Sequence, residues 1–526
     1  MAARGTSVDS QQTARGNRHG ASRTRIGNAG LLLLAAALLL YSGSDLWQNI
    51  AWPPFFSFDE TLEIDYVYQL TQGHLPTFFG GAEFNPLHLT YPFDVQWRYQ
   101  HPPMFYALEV PIFLLFDTLH HPIRGIWAMR LLVWVMGVTL IVCSRWAGKW
   151  VIGRECLAVD LVPLIVAANR CLPSVVFNYT LASLWVTLLI GMTAKLVRTL
   201  ASGAAGGRGG VTIPRGSLIA WWLIVIGAPL TRLSTIPIMA LCLLIVFIAA
   251  LAFGGSGRRR VRGVLMLDII PGILAVCGSA WFYLRLHALS GNFTGSQPEW
   301  SSTHLQRDTH KSFIASLLSS EFYKSAMSQY HNAAVTATRF GWAFVLLLTI
   351  IPLAAGIIAL IVWAVRSILG SVPRVAAHAK TQADSRAIER GQAIANLLMV
   401  VLLACAFGGT VLQQLLFYVQ GGSANAVYFS LISIVFAIVI ACGFTWLPSR
   451  RWVVRTVICA WLTLKIASLL YEAKLKWPFA PGGTMEHAAA FWQPMTWLAL
   501  TVACAGVTIA IATVLLNRSN ATAQTQ

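Results

Sequence analysis

Residues 28–76 read NAGLLLLAAALLLYSGSDLWQNIAWPPFFSFDETLEIDYVYQLTQGHLP. An apolar run from Ala29 to Tyr41 turns polar over Ser42 to Asn49, then becomes aromatic, then acidic at Asp59 and Glu60. A helix needs about 20 mostly apolar residues to cross a hydrocarbon core of roughly 30 Å, and 28–48 meets that length. This stretch is a membrane span that delivers a polar, carboxylate-bearing loop to one surface. The basic residues 1–27 ahead of it fit either a signal peptide or an uncleaved anchor. An anchor is the expectation, because a polytopic chain needs its first helix packed.

The same pattern runs through the chain. Of the 526 residues, 56% are hydrophobic and only 11% are charged, against about 25% charged in soluble domains. Spans are expected at 28–48, 126–146, 156–176, 180–198, 217–231, 234–253, 264–284, 340–365, 393–416, 427–447, 452–471 and 495–516. The fold class is therefore all-α, a polytopic membrane domain of about twelve helices over 28–516, with short tails at 1–27 and 517–526. The apolar stretch 104–118 covers only about 22 Å at 1.5 Å per residue. It reads as an interfacial helix.

Charge tests this layout. With the N-terminus inside, 24 of the 38 Lys and Arg fall in inner segments, including Arg145, Lys149 and Arg154, the run Arg258 to Arg262, and Arg450, Arg451 and Arg455. That bias is what the positive-inside rule requires, and counting 104–118 as a span would destroy it. Both termini are then cytoplasmic, and fourteen of the 20 acids and ten of the 12 His lie outside. The net charge of +18 belongs to topology, and its scatter through short loops excludes nucleic acid as a partner. The nine Cys lie in or beside apolar stretches without metal-ligand spacing.

Two outer loops are long, about 49–125 and 286–338, and long loops in compact folds are functional or disordered. In the first, Asp59 and Glu60 stand just beyond the membrane among Phe55, Phe56 and Phe58. A carboxylate poised beside a hydroxyl is what general-base catalysis needs. The plainer reading is a helix N-terminus, since Asp59 precedes the periodic run Leu62, Tyr66, Leu70. In the second loop, SFIASLLSSEFYKSAM from Ser312 has the spacing of an amphipathic helix lying on the membrane.

The first loop resembles that of the GT-C glycosyltransferases, polytopic enzymes that use polyprenyl-phosphate sugars, among them protein O-mannosyltransferases and lipid A aminoarabinose transferases. The resemblance is carried by Asp59-Glu60, by Tyr66, Tyr68, Leu70, Gly73 and Pro76, by Gln100-His101-Pro102-Pro103-Met104-Phe105-Tyr106, and by Arg130 in WAMRLL. Looser matches are VFNYTLASLW from Val176, TRLSTIP from Thr231 and WFYLRLHALSG from Trp281. Three positions depart from the family pattern. Glu63 stands where members often carry His, Asn178-Tyr179 where they carry an acid, and Ala426-Val427-Tyr428 where many show Arg-Tyr.

The resemblance implies transfer of a sugar from a polyprenyl-phosphate donor to an extracytoplasmic acceptor, a glycan, lipid or protein, with inversion. Asp59, or failing it Glu60, would be the base. Candidates for substrate binding are Arg98, His101, Tyr106, Arg130, Arg232, Arg285, Glu83 and Asp94. The guanidinium groups suit the phosphate; the plainer reading of any single one is contact with lipid headgroups. Glu83, Asp94 and His88 offer oxygen and nitrogen ligands for Mg²⁺ or Ca²⁺, without a ligand spacing that specifies a site. The alternatives are a transporter or flippase, for which Asp160, Arg170 and Lys465 would be the mid-span charges, and a non-catalytic partner in envelope assembly.

Overall fold

The computed structural model describes residues 9–51, 54, 58–86, 94–172, 175–205, 213–255, 257–308, 311–331, 338, 340–371, 380–446, 450–476 and 489–516. Phe55, Phe56, His88 and the tail 517–526 lie outside them. Among the described residues the chain is helical without strands, an all-α polytopic membrane protein. In chain order the helices are α1 (Asp9–Ala51), α2 (Phe58–Thr71), α3 (Met104–Leu115), α4 (Pro122–Ile152), α5 (Leu157–Ala167) and α6 (Tyr179–Ala205). There follow α7 (Arg215–Gly227), α8 (Ile236–Phe253), α9 (Arg258–Ser290), α10 (Pro298–Leu305), α11 (Phe313–Leu317) and α12 (Ser320–Ala326). The last are α13 (Gly341–Leu369), α14 (Lys380–Val419), α15 (Val427–Ser430), α16 (Ser433–Trp446), α17 (Arg451–Lys476) and α18 (Ala489–Leu516).

Nine of these, α1, α4, α6, α8, α9, α13, α14, α17 and α18, are long and apolar enough to cross a membrane. In lipid, helix association rests on close packing rather than on a hydrophobic drive, so small residues mark the tightest contacts. Gly43 and Gly506 do this between α1 and α18. A Cβ on Gly43 would lie 2.4 Å from the Ala503 nitrogen, and one on Gly506 would lie 2.6 Å from the Leu40 nitrogen.

The other three expected spans are short. The helices α5, α7 and α16 have 11, 13 and 14 residues, so α5 covers about 17 Å. All of α5 from Ala158 to Ala167 is buried, and so is nearly all of α16. Both are half-height helices inside the bundle, where irregular backbone is tolerated because protein surrounds it. Among the described residues, none between α5 and Tyr179 is helical, and their polar groups are met from several directions. The Arg170 N–H donates to the Gln329 carbonyl at 2.8 Å, the Cys171 N–H to Asn169 Oδ1 at 2.9 Å, and Tyr41 donates to the Leu172 carbonyl at 3.2 Å.

The stretch at 104–118 forms the 12-residue α3. It turns Phe105, Tyr106, Glu109 and Phe113 inward and leaves Leu108, Leu114 and Leu115 exposed. The single amphipathic helix expected from Ser312 is instead the pair α11 and α12. Ser319 breaks it by capping α12, accepting from the Phe322 N–H at 3.3 Å. Phe313, Ile314 and Leu318 stay exposed while Phe322 packs on Tyr418.

Candidate active site

The site begins at α2. A helix advances about 100° per residue, so side chains four apart share a face while neighbours diverge. Asp59, Glu63 and Tyr66 therefore form one stripe, and Glu60 points elsewhere. Glu60 is buried in a bidentate pair with Arg130: Arg130 Nε donates to Oε1 at 2.7 Å and Nη2 to Oε2 at 2.6 Å. Glu60 Oε1 also accepts the Val176 N–H at 3.0 Å, and Arg130 Nη1 donates to the Asn49 carbonyl at 3.2 Å. This pair bolts α2, the end of α1, the start of α4 and the irregular segment before α6 together. Both groups are sequestered from solvent, which sets Glu60 and Arg130 apart from the face that carries Asp59.

Asp59 is different. Its side chain is 52% exposed and its carboxylate is ion-paired with Arg98, which is almost fully buried. Arg98 is placed by a short 3₁₀ turn, Trp97–Gln100, whose N-cap Gln96 accepts the Arg98 N–H at 3.0 Å. Gln96 is held in turn by the Leu62 carbonyl at 3.0 Å and by Asp65. Asp65 is an inward pin, also accepting the Glu83 and Phe84 N–H groups at 2.7 Å each and Gln69 at 2.9 Å. Burial pushes its carboxyl up to about 6, against these four donors.

Around Arg98 the remaining groups converge. Glu63 is fully buried, with its Oε1 3.3 Å from Arg98 Nε. Burial pushes its carboxyl up to about 7, opposed by Arg98, the Tyr106 hydroxyl and Arg232. His101 Nε2 lies 3.4 Å from a guanidinium nitrogen of Arg98 and 3.4 Å from one of Arg232. Burial and these two cations hold the imidazole neutral, its pKa well below the usual range. Tyr106 stacks on Tyr66 with ring centroids 3.8 Å apart, and Tyr66 donates to the His101 carbonyl at 2.9 Å.

Arg232 completes the cluster. It sits on the TRLST loop between α7 and α8, which Thr235 ties down by donating to the Ala228 and Arg232 carbonyls at 2.7 and 2.8 Å. Tyr283 of α9 donates to the Pro229 carbonyl at 2.9 Å. The Arg232 guanidinium donates to Asn178 and Tyr179 and lies 3.6 Å above the Tyr179 ring. Asn178 also donates to Tyr106 at 3.2 Å. Arg232 is buried, yet among the described residues no carboxylate forms an ion pair with it. Tyr428, from late in the chain, packs on Tyr179.

The structure thus brings Asp59, Arg98, His101, Tyr106 and Arg232 together, and adds Glu63, Tyr66, Asn178 and Tyr179. Arg285 stands apart, donating to the Leu75 and Pro76 carbonyls at 3.2 and 2.8 Å. The Glu83 carboxylate is exposed and faces His74 at 3.4 Å, and Asp94 is exposed. No hydrogen bond or ion pair among the described residues joins either carboxylate to the cluster. Among the described residues no three His, Cys, Asp or Glu side chains group so as to hold a metal. The charges proposed for a transporter have fixed partners: Arg145 donates to Asp160 at 2.7 Å, Arg170 lies 3.5 Å from Glu472, and Lys465 donates to the Tyr330 carbonyl at 2.9 Å.

No protein-family model matches this chain, and no curated protein matches it in sequence. Among solved structures it is similar to ArnT from Cupriavidus metallidurans bound to undecaprenyl phosphate, with 13% identity and a TM-score of 0.44, over 93% of this chain and 77% of that one. The apo state of ArnT aligns with 12% identity and a TM-score of 0.32, over 92% and 76% of the two chains. The Archaeoglobus fulgidus oligosaccharyltransferase, tethered to an acceptor peptide containing the NVT sequon, aligns over 94% of this chain but 55% of its own, with 12% identity and a TM-score of 0.34.

Proposed function

We propose that this chain is an integral-membrane glycosyltransferase of the GT-C type. It moves a sugar from a polyprenyl-phosphate donor to a hydroxyl on an extracytoplasmic acceptor, with inversion. The observation that carries this reading is Arg232, a buried guanidinium that forms no ion pair with a carboxylate among the described residues, beside the half-exposed Asp59 carboxylate. Neutral partners, Asn178 and Tyr179, satisfy its donors without cancelling its charge, and a buried charge without an ion-pair partner is costly, so the site is complementary to an anion. A guanidinium matches phosphate in shape as well as in charge.

The chemistry follows from that arrangement. Asp59 accepts the proton of the acceptor hydroxyl as its oxygen bonds to the anomeric carbon of the sugar. The bond from that carbon to the phosphate oxygen breaks on the opposite face, and its electron pair leaves with the polyprenyl phosphate. The phosphate turns from a diester with one negative charge into a monoester approaching two, and Arg232 stabilises the added charge. Once protonated, Asp59 releases its hold on Arg98, which turns toward the same phosphate. His101, neutral and fixed by Tyr66, spaces the two guanidinium groups without adding charge. The basic loops lie at the far end of α4, and by the positive-inside rule this supports a site outside the cytoplasm.

Mass spectrometry of envelope glycans and glycolipids, from cells with and without the protein, tests the reading. Loss of one sugar from a defined species is the expected result. Identical profiles would overturn it.

A further inference from the structure

The opposite end of the bundle holds a cavity of about 790 Å³, within the size range of ligand pockets. Arg130 and Gly153 are 23 residues apart on and just beyond α4, so this cavity lies roughly 35 Å from the candidate active site. Arg154 beyond α4, Arg198 of α6 and Arg366 of α13 all line it, and among the described residues no carboxylate does. The acids closest to Arg154 in sequence are engaged elsewhere: Glu155 with Arg145 and Lys149, and Asp160 with Arg145. Arg198 donates to the Trp150 and Val151 carbonyls, satisfying the end of α4. Arg154 and Arg366 are exposed and form no ion pair with a described residue.

The rest of the wall is not that of a site for a soluble anion. Leu360 and Trp363 of α13 and Trp446 of α16 give it an aliphatic and indole side, while Gln392 and Asn396, one turn apart on α14, add amide donors. Cations and amides above an apolar wall, at the end of the bundle that carries the basic loops, form the complement of a phosphate joined to hydrocarbon. Indole rings concentrate where a membrane meets water, and basic pockets between helices on that side recognise lipid phosphate.

We infer that this cavity is a binding site for the phosphate headgroup of an anionic lipid from the adjoining leaflet. The test uses the purified full-length protein in detergent, with retained lipid counted by native mass spectrometry. Dioleoyl phosphatidylglycerol, dioleoyl phosphatidylcholine and inorganic phosphate are titrated separately at one ionic strength. Phosphatidylglycerol is expected to bind and the other two to bind far more weakly. Each basic residue near such a headgroup contributes about 1 kcal/mol, so Arg154→Gln with Arg366→Gln is expected to weaken that binding roughly 30-fold.

Arg258→Gln with Arg259→Gln, exposed charges that do not line the cavity, is expected to leave binding unchanged. Equal retention of phosphatidylcholine, or equal loss in both double variants, would overturn the inference in favour of unspecific surface attraction. Inorganic phosphate competing as well as the lipid would assign the cavity to a soluble anion instead.

Discussion

Replacing Glu63 by Gln keeps the shape of a buried side chain and removes the proton that titrates nearest neutrality in the cluster. The groups facing it are Asp59 and Tyr66 on α2, Arg98 ahead of α3, Tyr106 on α3 and Arg232 ahead of α8. Its carboxyl is pushed up to about 7, so it is neutral at acid pH and anionic above that value. His101, whose pKa lies well below its usual range, keeps the same charge across this window. A phosphate on Arg232 would repel an ionised Glu63, and two unit charges about 7 Å apart at an effective dielectric near 20 interact by roughly 2 kcal/mol. That is roughly a thirty-fold effect on affinity. The assay is the dissociation constant of a polyprenyl phosphate from wild type and Glu63→Gln, measured between about pH 5.5 and 9. The second ionisation of the ligand, near pH 6, is common to both proteins. The curves are expected to coincide at acid pH and to part above 7, with the variant roughly thirty-fold tighter at the alkaline end. Parallel curves would refute the assignment of that proton to Glu63.

The same proton acts on folding. The native state holds it more tightly than the unfolded chain, so stability is full below about 4.5 and declines as pH rises through about 7. Glu63→Gln is expected to flatten that decline in thermal melts. Glu60→Ala or Arg130→Ala leaves a buried charge unpaired, expected to cost about 3–5 kcal/mol and to show as a large fall in melting temperature. Glu60→Gln, in molecules that remain folded, is expected to retain transfer activity. Arg232→Ala is expected to weaken donor binding at least about tenfold, with Arg232→Lys recovering part of it because charge returns without the planar fork; unchanged binding in Arg232→Ala would remove the phosphate assignment. Asp65→Ala strands four donors and is expected to loosen residues 81–86, read as faster proteolysis there.

Hydropathy and charge made most of the bundle legible. The basic loops argued against a span at 104–118, and α3 is a 12-residue helix with Leu108, Leu114 and Leu115 turned outward. What hydropathy could not separate was a span from a half-height helix buried in protein, because both are apolar runs. Pro163 and the polar pair Asn169-Arg170 were the available signs that 156–176 does not continue as one helix. At the site, adjacency misled and helical spacing would have helped. Asp59 and Glu60 look equivalent in sequence, but only Glu63 shares the face of Asp59. Asn178 and Tyr179, read as departures from the family pattern, turned out to be the partners of Arg232. Their role depends on the chain folding back from α7, a contact that no local pattern encodes.

The most direct test of the account is Asp59→Asn in the purified protein, supplied with a panel of polyprenyl-phosphate sugars and a hydroxyl acceptor. Wild type is expected to release polyprenyl phosphate in step with glycosylated acceptor. Asp59→Asn is expected to melt normally and to hold polyprenyl phosphate, yet to form no product. Turnover by the Asn variant at a rate near wild type would contradict the assignment of Asp59 as the base, and with it the account of this cluster as a site of sugar transfer.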